Sequence, residues 1–388
     1  MTTMTHRERV KAALNHEQSD RVPIDFGAIA STIDNKAYER LVKKLGITSE
    51  LDRPDLNDPI NPSQEVTPCA QILDMFGVDT RALHADAPID SQALVRTQID
   101  DFTYRDEWGV VWKRPVNDVG PYMYKQGPFQ HDGLTIAEIE KYQWPNPESD
   151  HRVGSLGERA RQMHEETDHA LVLSVGHSSV APSQRLRGFS EFMADLVLEP
   201  AMAQALLEHV TDIIIRSTKA ILKEAGPYID VVSFSDDLGL QDRAYFREEM
   251  FKEQIKPYLA RCVAAIHDNT DAKAVMHSDG AIYDLIPDLI DIGVDAINPV
   301  QTTAWKMDAE RLKADFGDNL GFWGAVDTQH TLPFGTPDEV REDVRNKIRT
   351  LASGGGYVLT SCHTIREEVQ PENVIAMYHA ALEFGTYS

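Results

Sequence analysis

The amino-acid sequence predicts an α/β protein built as a (β/α)8 TIM barrel, with N-terminal helices and an inserted β-hairpin and loop region. Three observations lead there. Eight short apolar runs, at residues 21–26, 78–85, 170–175, 230–234, 273–276, 294–300, 320–323 and 357–360, are mostly separated by stretches of helical periodicity. The stretch AKAVMHSDGAIYDLIPDLIDIGVDAINPVQ, residues 272–301, reads as strand, turn, helix and parallel strand, a unit whose crossover is almost always right-handed. Polar residues also gather where the strands end, the edge on which such barrels carry their chemistry.

Taken in order, residues 5–17 read as a helix capped by Thr5, with Val10, Ala13 and Leu14 on one face. Arg21–Gly27 is a first short strand with a glycine turn, and Tyr38–Leu45 is a second helix. Residues 52–68, rich in Asp, Asn and Pro, read as irregular and as part of a cap over the site. From about 90 to 147 the rhythm breaks. Residues 102–112 alternate like a β-hairpin and 115–128 continue in extended or loop form, an insertion in one domain that spans 1–388. Beyond it, helices are expected at 156–167, at 189–224 with a break near Pro200, at 243–267 with a break or fresh start at Pro257, at 282–292, at 337–352 and at 374–384.

Composition narrows the function. The 388 residues carry a formal net charge of −24, which disfavours nonspecific binding to nucleic acid or to an anionic membrane. Cys69, Cys262 and Cys362 are odd in number and far apart, so no disulfide framework is implied and a reducing, cytoplasmic location fits. The first residues lack a signal peptide's apolar core, and no run approaches the roughly 20 apolar residues of a membrane span. No GxGxxG follows a strand and no Walker sequence is present; Gly354–Gly356 precedes a strand and reads as a helix stop.

On a barrel the strand ends converge. They bring together His84 and Asp86, His177, Asp236 and Asp237, His277 and Asp279, Asn298 and Gln301, Asp327 and Gln329, and Cys362 with His363. Imidazoles, carboxylates and a thiol on one face could hold a divalent metal such as zinc. Structural readings stand beside this one. His277 and Asp279 also suit a hydrogen-bonded pair at a turn, Asp236 and Asp237 suit a cap on the following segment, and Cys362 suits a small buried hydrophobe. His84 and His177 fit structural or substrate-lining roles better than metal ligation.

With the strand ends laid out, the chain resembles the uroporphyrinogen decarboxylase superfamily. The resemblance rests on Thr5–Val10 with Asp20–Pro23, on Asp236-Asp-Leu-Gly239, His277-Ser-Asp-Gly280 and Phe322-Trp-Gly-Ala-Val-Asp327, and on Gly354–Tyr357 with His363-Thr-Ile365 and Pro371-Glu-Asn373. It implies a (β/α)8 barrel and either a cofactor-free decarboxylase or a zinc-dependent methyltransferase that works with a corrinoid. The decarboxylase's arginine-rich segment after the first strand has no counterpart in Asp25–Ser31, which holds no arginine. Asp86 falls near the decarboxylase's catalytic aspartate, so decarboxylation of a smaller acid is the second expectation.

The methyltransferase branch places His-x-Cys after the fifth strand and a late Cys after the eighth as zinc ligands. Here the first pattern is His277-Ser278-Asp279, and the late position falls on His363 or on Cys362. The resemblance thus implies His277, Cys362 or His363 as metal ligands and Asp237 or Asp279 as acid/base or site-completing residues, with Asp86 as the charge-stabilising catalytic residue of the decarboxylase reading. His84, His177, Asn298, Gln301 and Trp323 are the expected substrate contacts. An oxygen ligand in place of a thiolate argues against a thiol acceptor. The implied reaction is removal of a methyl group from a small methylated substrate such as a methoxyaromatic, O-demethylation, with transfer to a separate corrinoid protein. Trp108, Trp112, Tyr122 and Tyr124 of the insertion suit the lining of its pocket, although such rings more often serve packing within a hairpin.

Overall fold

The computed structural model of the protein describes residues 3–47, 65–85, 96–114, 123–148 and 153–387. Its strands, among the described residues, are β1 (Ile33–Asp34), β2 (Glu65–Val66), β3 (Thr80–Leu83), β4 (Arg96–Asp100), β5 (Thr103–Asp106), β6 (Val111–Lys113), β7 (Met123–Gln126), β8 (Ala170–His177), β9 (Val231–Ser235), β10 (Lys273–His277), β11 (Ala296–Asn298), β12 (Gly321–Val326) and β13 (Tyr357–Ser361). Seven of them form one curled parallel sheet in the order β13-β12-β11-β10-β9-β8-β3.

The expected first strand is not a strand. The segment at 21–26 makes a parallel bridge at Ile24 to Leu359 of β13. On its other side the Asp79 N–H donates to the Ile24 carbonyl at 2.8 Å. It therefore joins the two edges of the sheet, and the fold is a distorted (β/α)8 barrel. Pro23 explains the irregularity, since it lacks the N–H that a ladder needs.

Alternation along the strands separates inside from outside. Ala170, Val172, Val231, Val275, Ala296, Trp323 and Val358 form the inner cluster, while Leu171, Val232, Met276, Ile297, Phe322 and Leu359 pack outward against helices. The helix His6–Leu14 closes the N-terminal end, pressing Val10 and Leu14 into that inner cluster. A capping box of Thr5 and Glu8 starts this helix. Arg9 and Arg21 fasten it by pairing with Asp79 at 2.6 and 2.7 Å, and His6 adds a 2.7 Å contact. Burial works against the Asp79 charge, but these three partners outweigh it and hold the carboxyl below its usual range. The Arg-Val-Pro motif near the start is therefore fastening, not chemistry.

Other boundaries follow from sequence. The break at Pro200 separates helices Phe189–Leu198 and Pro200–Ala225. Pro257 cannot donate to an upstream carbonyl, and a π-helical turn, Phe251–Ile255, precedes the helix Lys256–His267. The helix expected at 282–292 is shorter, a 3-10 turn Tyr283–Leu285 leading into Ile286–Asp291, because Pro287 restarts it. The insertion is more than a hairpin: β4-β5-β6-β7 make a four-stranded antiparallel sheet. The expected cap at 52–68 lies mostly outside the described residues. No helix among the described residues is long and apolar enough to cross a membrane.

Candidate metal centre and active-site cleft

Strand alternation carries His277 to the site. Val275 faces the barrel interior, so His277, two residues on, faces inward at the C-terminal end of β10. Register aligns it with Ser235 of β9 and Asn298 of β11. Asn298 is fully buried, and its amide nitrogen donates to the Trp323 carbonyl at 3.2 Å. The amide oxygen is thus left to accept from Nδ1 of His277, at 2.7 Å. That bond puts the hydrogen of the neutral ring on Nδ1 and leaves a lone pair on Nε2.

Nε2 looks toward Asp279, 3.9 Å from its carboxylate, and His363 approaches the same oxygen at 3.8 Å. The ligand atoms of His277, Asp279 and His363 lie within 4.8 Å of one another. The two imidazole rings lie with centroids 5.5 Å apart and planes at 64°. Burial holds His363 below the usual imidazole value while Asp279 opposes the shift. The Thr364 N–H donates to Nδ1 of His363 at 2.7 Å. In the neutral ring the hydrogen therefore sits on Nε2, so ligation through Nε2 requires the other tautomer, with the hydrogen on Nδ1 and the Thr364 bond given up.

A second group, His6, Asp168 and His169, also brings ligand atoms within 4.8 Å. Its rings lie face to face, 4.3 Å apart and only 11° from parallel. A cation bound in the plane of one ring would lie outside the plane of the other, and Nδ1 of His6 is already held by Asp79. The group also sits at the N-terminal end of the barrel, as does the larger cleft of about 630 Å³ beside Lys11 and Asp230. The His277 group instead opens on a cleft of about 460 Å³ at the C-terminal end, lined by Asp279, Gln301, Asp327, Gln329, Cys362 and His363. Ligand geometry and the position of barrel chemistry both favour the His277 group.

Two glycines place Asp279. The loops after β9 and β10 meet backbone to backbone at Gly239 and Gly280, where a Cβ on Gly280 would stand 2.5 Å from the Gly239 carbonyl carbon. This contact aligns Asp237, whose carboxylate accepts the Asp279 N–H at 3.1 Å. The side-chain oxygen of Gln301 accepts the Gly280 N–H at 2.7 Å, tying the loop down from β11.

The remaining candidates are spread more widely. His177 accepts from Arg185 on Nε2 at 2.7 Å, so its Nδ1 donates to Ser235 at 2.8 Å. Burial, reinforced by Arg185, pushes it well below the usual imidazole value and keeps it neutral. Cys362 turns its thiol to the Val300 carbonyl at 3.4 Å, and burial pushes its pKa up. The thiol is thus held protonated and outside the His277 cluster, although the residue lines the cleft. Trp323 is fully buried, its indole donating to Asp25 at 3.1 Å. His84 is exposed at the end of β3, and Asp86 lies outside the described residues. The sequence does not single out Asp25. Asp25 is wholly buried and accepts from Ser31, Thr80 and Trp323; burial raises its pKa. A lone carboxylate in an apolar run was its only signal in the sequence.

Asp236 has a structural duty. It caps the helix Val180–Arg187 from the neighbouring unit, accepting from the N–H groups of Val180 at 2.8 Å and Ala181 at 2.7 Å and from the Ser178 hydroxyl. The capped helix is not the one that follows it in sequence. Burial nevertheless pushes its pKa up to about 6 from the ordinary 3.8. A raised folded value means that the stability it contributes is full below about pH 4 and is lost as the pH rises through about 6. Wild type minus Asp236→Asn unfolding free energy, measured by urea titration, is expected to fall by roughly 3 kcal/mol over that window. A difference that stays flat with pH would show that the carboxyl does not titrate there.

A family profile described as uroporphyrinogen decarboxylase matches residues 121–384, more than half of the chain. The chain belongs to the uroporphyrinogen decarboxylase family. Among curated members, the uroporphyrinogen decarboxylase of Hydrogenovibrio crunogenus is 27% identical over 189 residues, 47% of this chain and 49% of that protein. Over such a match the chain spans about half the length of its relative. The enzyme of that name from Anaeromyxobacter dehalogenans is 25% identical over 386 residues, 98% of this chain and 99% of the relative. Among solved structures, a methyltransferase from Methanosarcina mazei superimposes with a TM-score of 0.66 at 18% identity, covering 98% of this chain and 99% of that one. At that identity the likeness establishes the fold, which is shared along the whole length.

Proposed function

We propose that this member of the family is a zinc-dependent methyltransferase, moving a methyl group from a small methylated substrate such as a methoxyaromatic to a separate corrinoid protein. The observation that carries this reading is the cluster of His277, Asp279 and His363 at the C-terminal edge, with His277 oriented by the buried Asn298. Metal-bound histidines are typically fixed in this way by an acceptor on the other ring nitrogen. The donor set of two imidazoles and a carboxylate suits zinc and leaves coordination open toward the cleft.

In such a transfer the C–O electron pair would stay on oxygen, which takes up a proton from solvent, and the reduced cobalt of the corrinoid protein would supply the pair for the new bond to the methyl group. A cation held by His277, Asp279 and His363 would supply Lewis acidity to that oxygen. The chain's own residues do the positioning. Asp237 and Gln301 hold the backbone of Asp279 and Gly280, and Asn298 keeps the lone pair of His277 turned outward.

A second reading, cofactor-free decarboxylation of a smaller acid, is favoured by the full-length similarity to a curated decarboxylase. Uroporphyrinogen itself would bring several carboxylates into the cleft. Arg366 is the cationic side chain among the described lining residues, and it stands 3.1 Å from Glu65. Asp279 and Asp327 add negative charge to the same cleft.

Protein purified without chelator is expected to carry close to one equivalent of zinc by plasma mass spectrometry. Stripping it should abolish methylation of a corrinoid protein's cobalt, followed by absorbance. Uptake should weaken on acidification, because protons compete for the imidazoles and the carboxylate. A metal content near zero, or decarboxylase activity that survives stripping and is lost in Asp86→Asn, would decide for the second reading.

A further inference from the structure

The aromatic residues that the sequence offers as pocket lining are used inside the insertion. Trp108 and Trp112 are 4% and 5% exposed, and Trp108 stands edge-on to Trp144. Tyr124 meets Trp112 in the same manner, and Tyr122 lies outside the described residues. A different aromatic pair, Phe189 and Tyr245, is joined through the backbone to the loop that carries Asp237.

The helix Pro200–Ala225 has 26 residues, or about 39 Å of length at 1.5 Å per residue. The flanking strand β8 has 8 residues, about 27 Å at most. The C-terminal end of the helix leads directly into the start of β9, so its surplus length rises beyond the C-terminal edge of the barrel. There it meets the preceding helix, Phe189–Leu198. Phe189 opens that helix, is 46% exposed, and stands edge-on to Tyr245 with ring centroids 5.6 Å apart and planes at 73°.

Tyr245 is tied to the metal cluster through the backbone. Its N–H donates to the Leu238 carbonyl at 2.7 Å, and Gly239 bridges Ala244. Leu238 follows Asp237, the residue that holds the Asp279 N–H. Burial raises the pKa of the Tyr245 phenol, and Asp237 and Asp279 add to the shift.

We propose that Phe189 and Tyr245 form the wall that holds an aromatic ring of the substrate beside the His277–Asp279–His363 cluster. This rests on the methyl-transfer reading for the methyl group and adds the part of the substrate that carries it. A half-exposed phenyl ring, already edge-on to a phenol, offers a ligand ring the offset or T-shaped contacts that aromatic pairs prefer.

The test uses calorimetric binding of two probes, 2-methoxyphenol and 2-methoxyethanol, to the zinc-loaded full chain. Both carry a methyl ether and a hydroxyl, and only the first has a ring. Wild type is expected to prefer 2-methoxyphenol by at least about tenfold. Phe189→Ala and Tyr245→Ala should each cut that preference by roughly three- to tenfold. Zinc content should stay unchanged in both variants, and Tyr245→Phe should retain the preference. No ring preference in wild type, no binding of 2-methoxyphenol, or a preference untouched in both alanine variants overturns the inference. Ring-selective binding that depends on Phe189 and Tyr245, with no cobalt methylation from any substrate, would instead sink the methyl-transfer reading and leave the wall in place.

Discussion

If the methyl-transfer reading holds, replacing His277 with alanine is expected to empty the proposed metal centre while leaving the barrel folded. The residue lies at the C-terminal tip of β10, 8% exposed, beyond the apolar layer that fills the interior. Its loss should therefore cost far less stability than loss of an inner residue such as Val275. Removing an orienting partner of a metal ligand typically costs about 10- to 100-fold in affinity. That range is the expectation for Asn298→Ala, and His277→Ala should exceed it. Zinc is expected to drop from about one equivalent to under about a tenth, and corrinoid methylation to fall by roughly 1000-fold. His277→Ala protein that keeps its zinc would move the metal away from the C-terminal edge altogether. The same variant separates the two chemistries, since a cofactor-free decarboxylase has no reason to lose turnover along with the metal.

His277 is also the residue where the sequence is most informative. Its strand has a short apolar signature, and the period of two ties its inward direction to that of Val275. Asp237, Asp279 and Gln301 are legible for the same reason, as polar residues just past apolar strands. The late residue is not legible. Cys362 and His363 are adjacent and point in different directions, and the choice depends on the Val300 carbonyl, which draws the thiol away. Nor does the sequence reveal what Asn298 does. Its amide is used on partners 21 and 25 residues away, a tertiary fact that no local pattern encodes. The first barrel segment misleads for a related reason. An apolar run beside a proline has strand composition, and only closure of the sheet determines that it makes single bridges. Of the two readings open for the aromatic insertion, packing is the one observed: four short strands without helices must bury their own rings, and Trp108 and Trp112 are taken up in this way.

The loop that carries Asp279 depends on a contact with no side chain in it, and Gly280→Ala tests it. Gly280 has φ +86°, where an L-residue is strained by about 1–2 kcal/mol. Strain alone is a modest penalty. The added methyl would also stand 2.5 Å from both the carbonyl carbon and the carbonyl oxygen of Gly239, and these are backbone atoms that no rotamer change can move aside. Either the loop after β9 or the loop after β10 must shift, and each carries an aspartate of the site. The expected result is a loss of about 2–4 kcal/mol in unfolding free energy and at least a tenfold loss of zinc affinity. Gly354→Ala is the control that separates the two effects. Gly354 has φ +75°, yet nothing lies within 4 Å of its added Cβ, so only the strain remains. Its expected cost is about 1 kcal/mol with zinc affinity unchanged. If both variants lose stability equally and neither loses zinc, the backbone contact between Gly239 and Gly280 does not set the position of Asp279. If Gly280→Ala alone releases the metal, the Asp-Leu-Gly and His-Ser-Asp-Gly motifs act as one unit, their glycines allowing the approach that brings Asp237 to the Asp279 N–H.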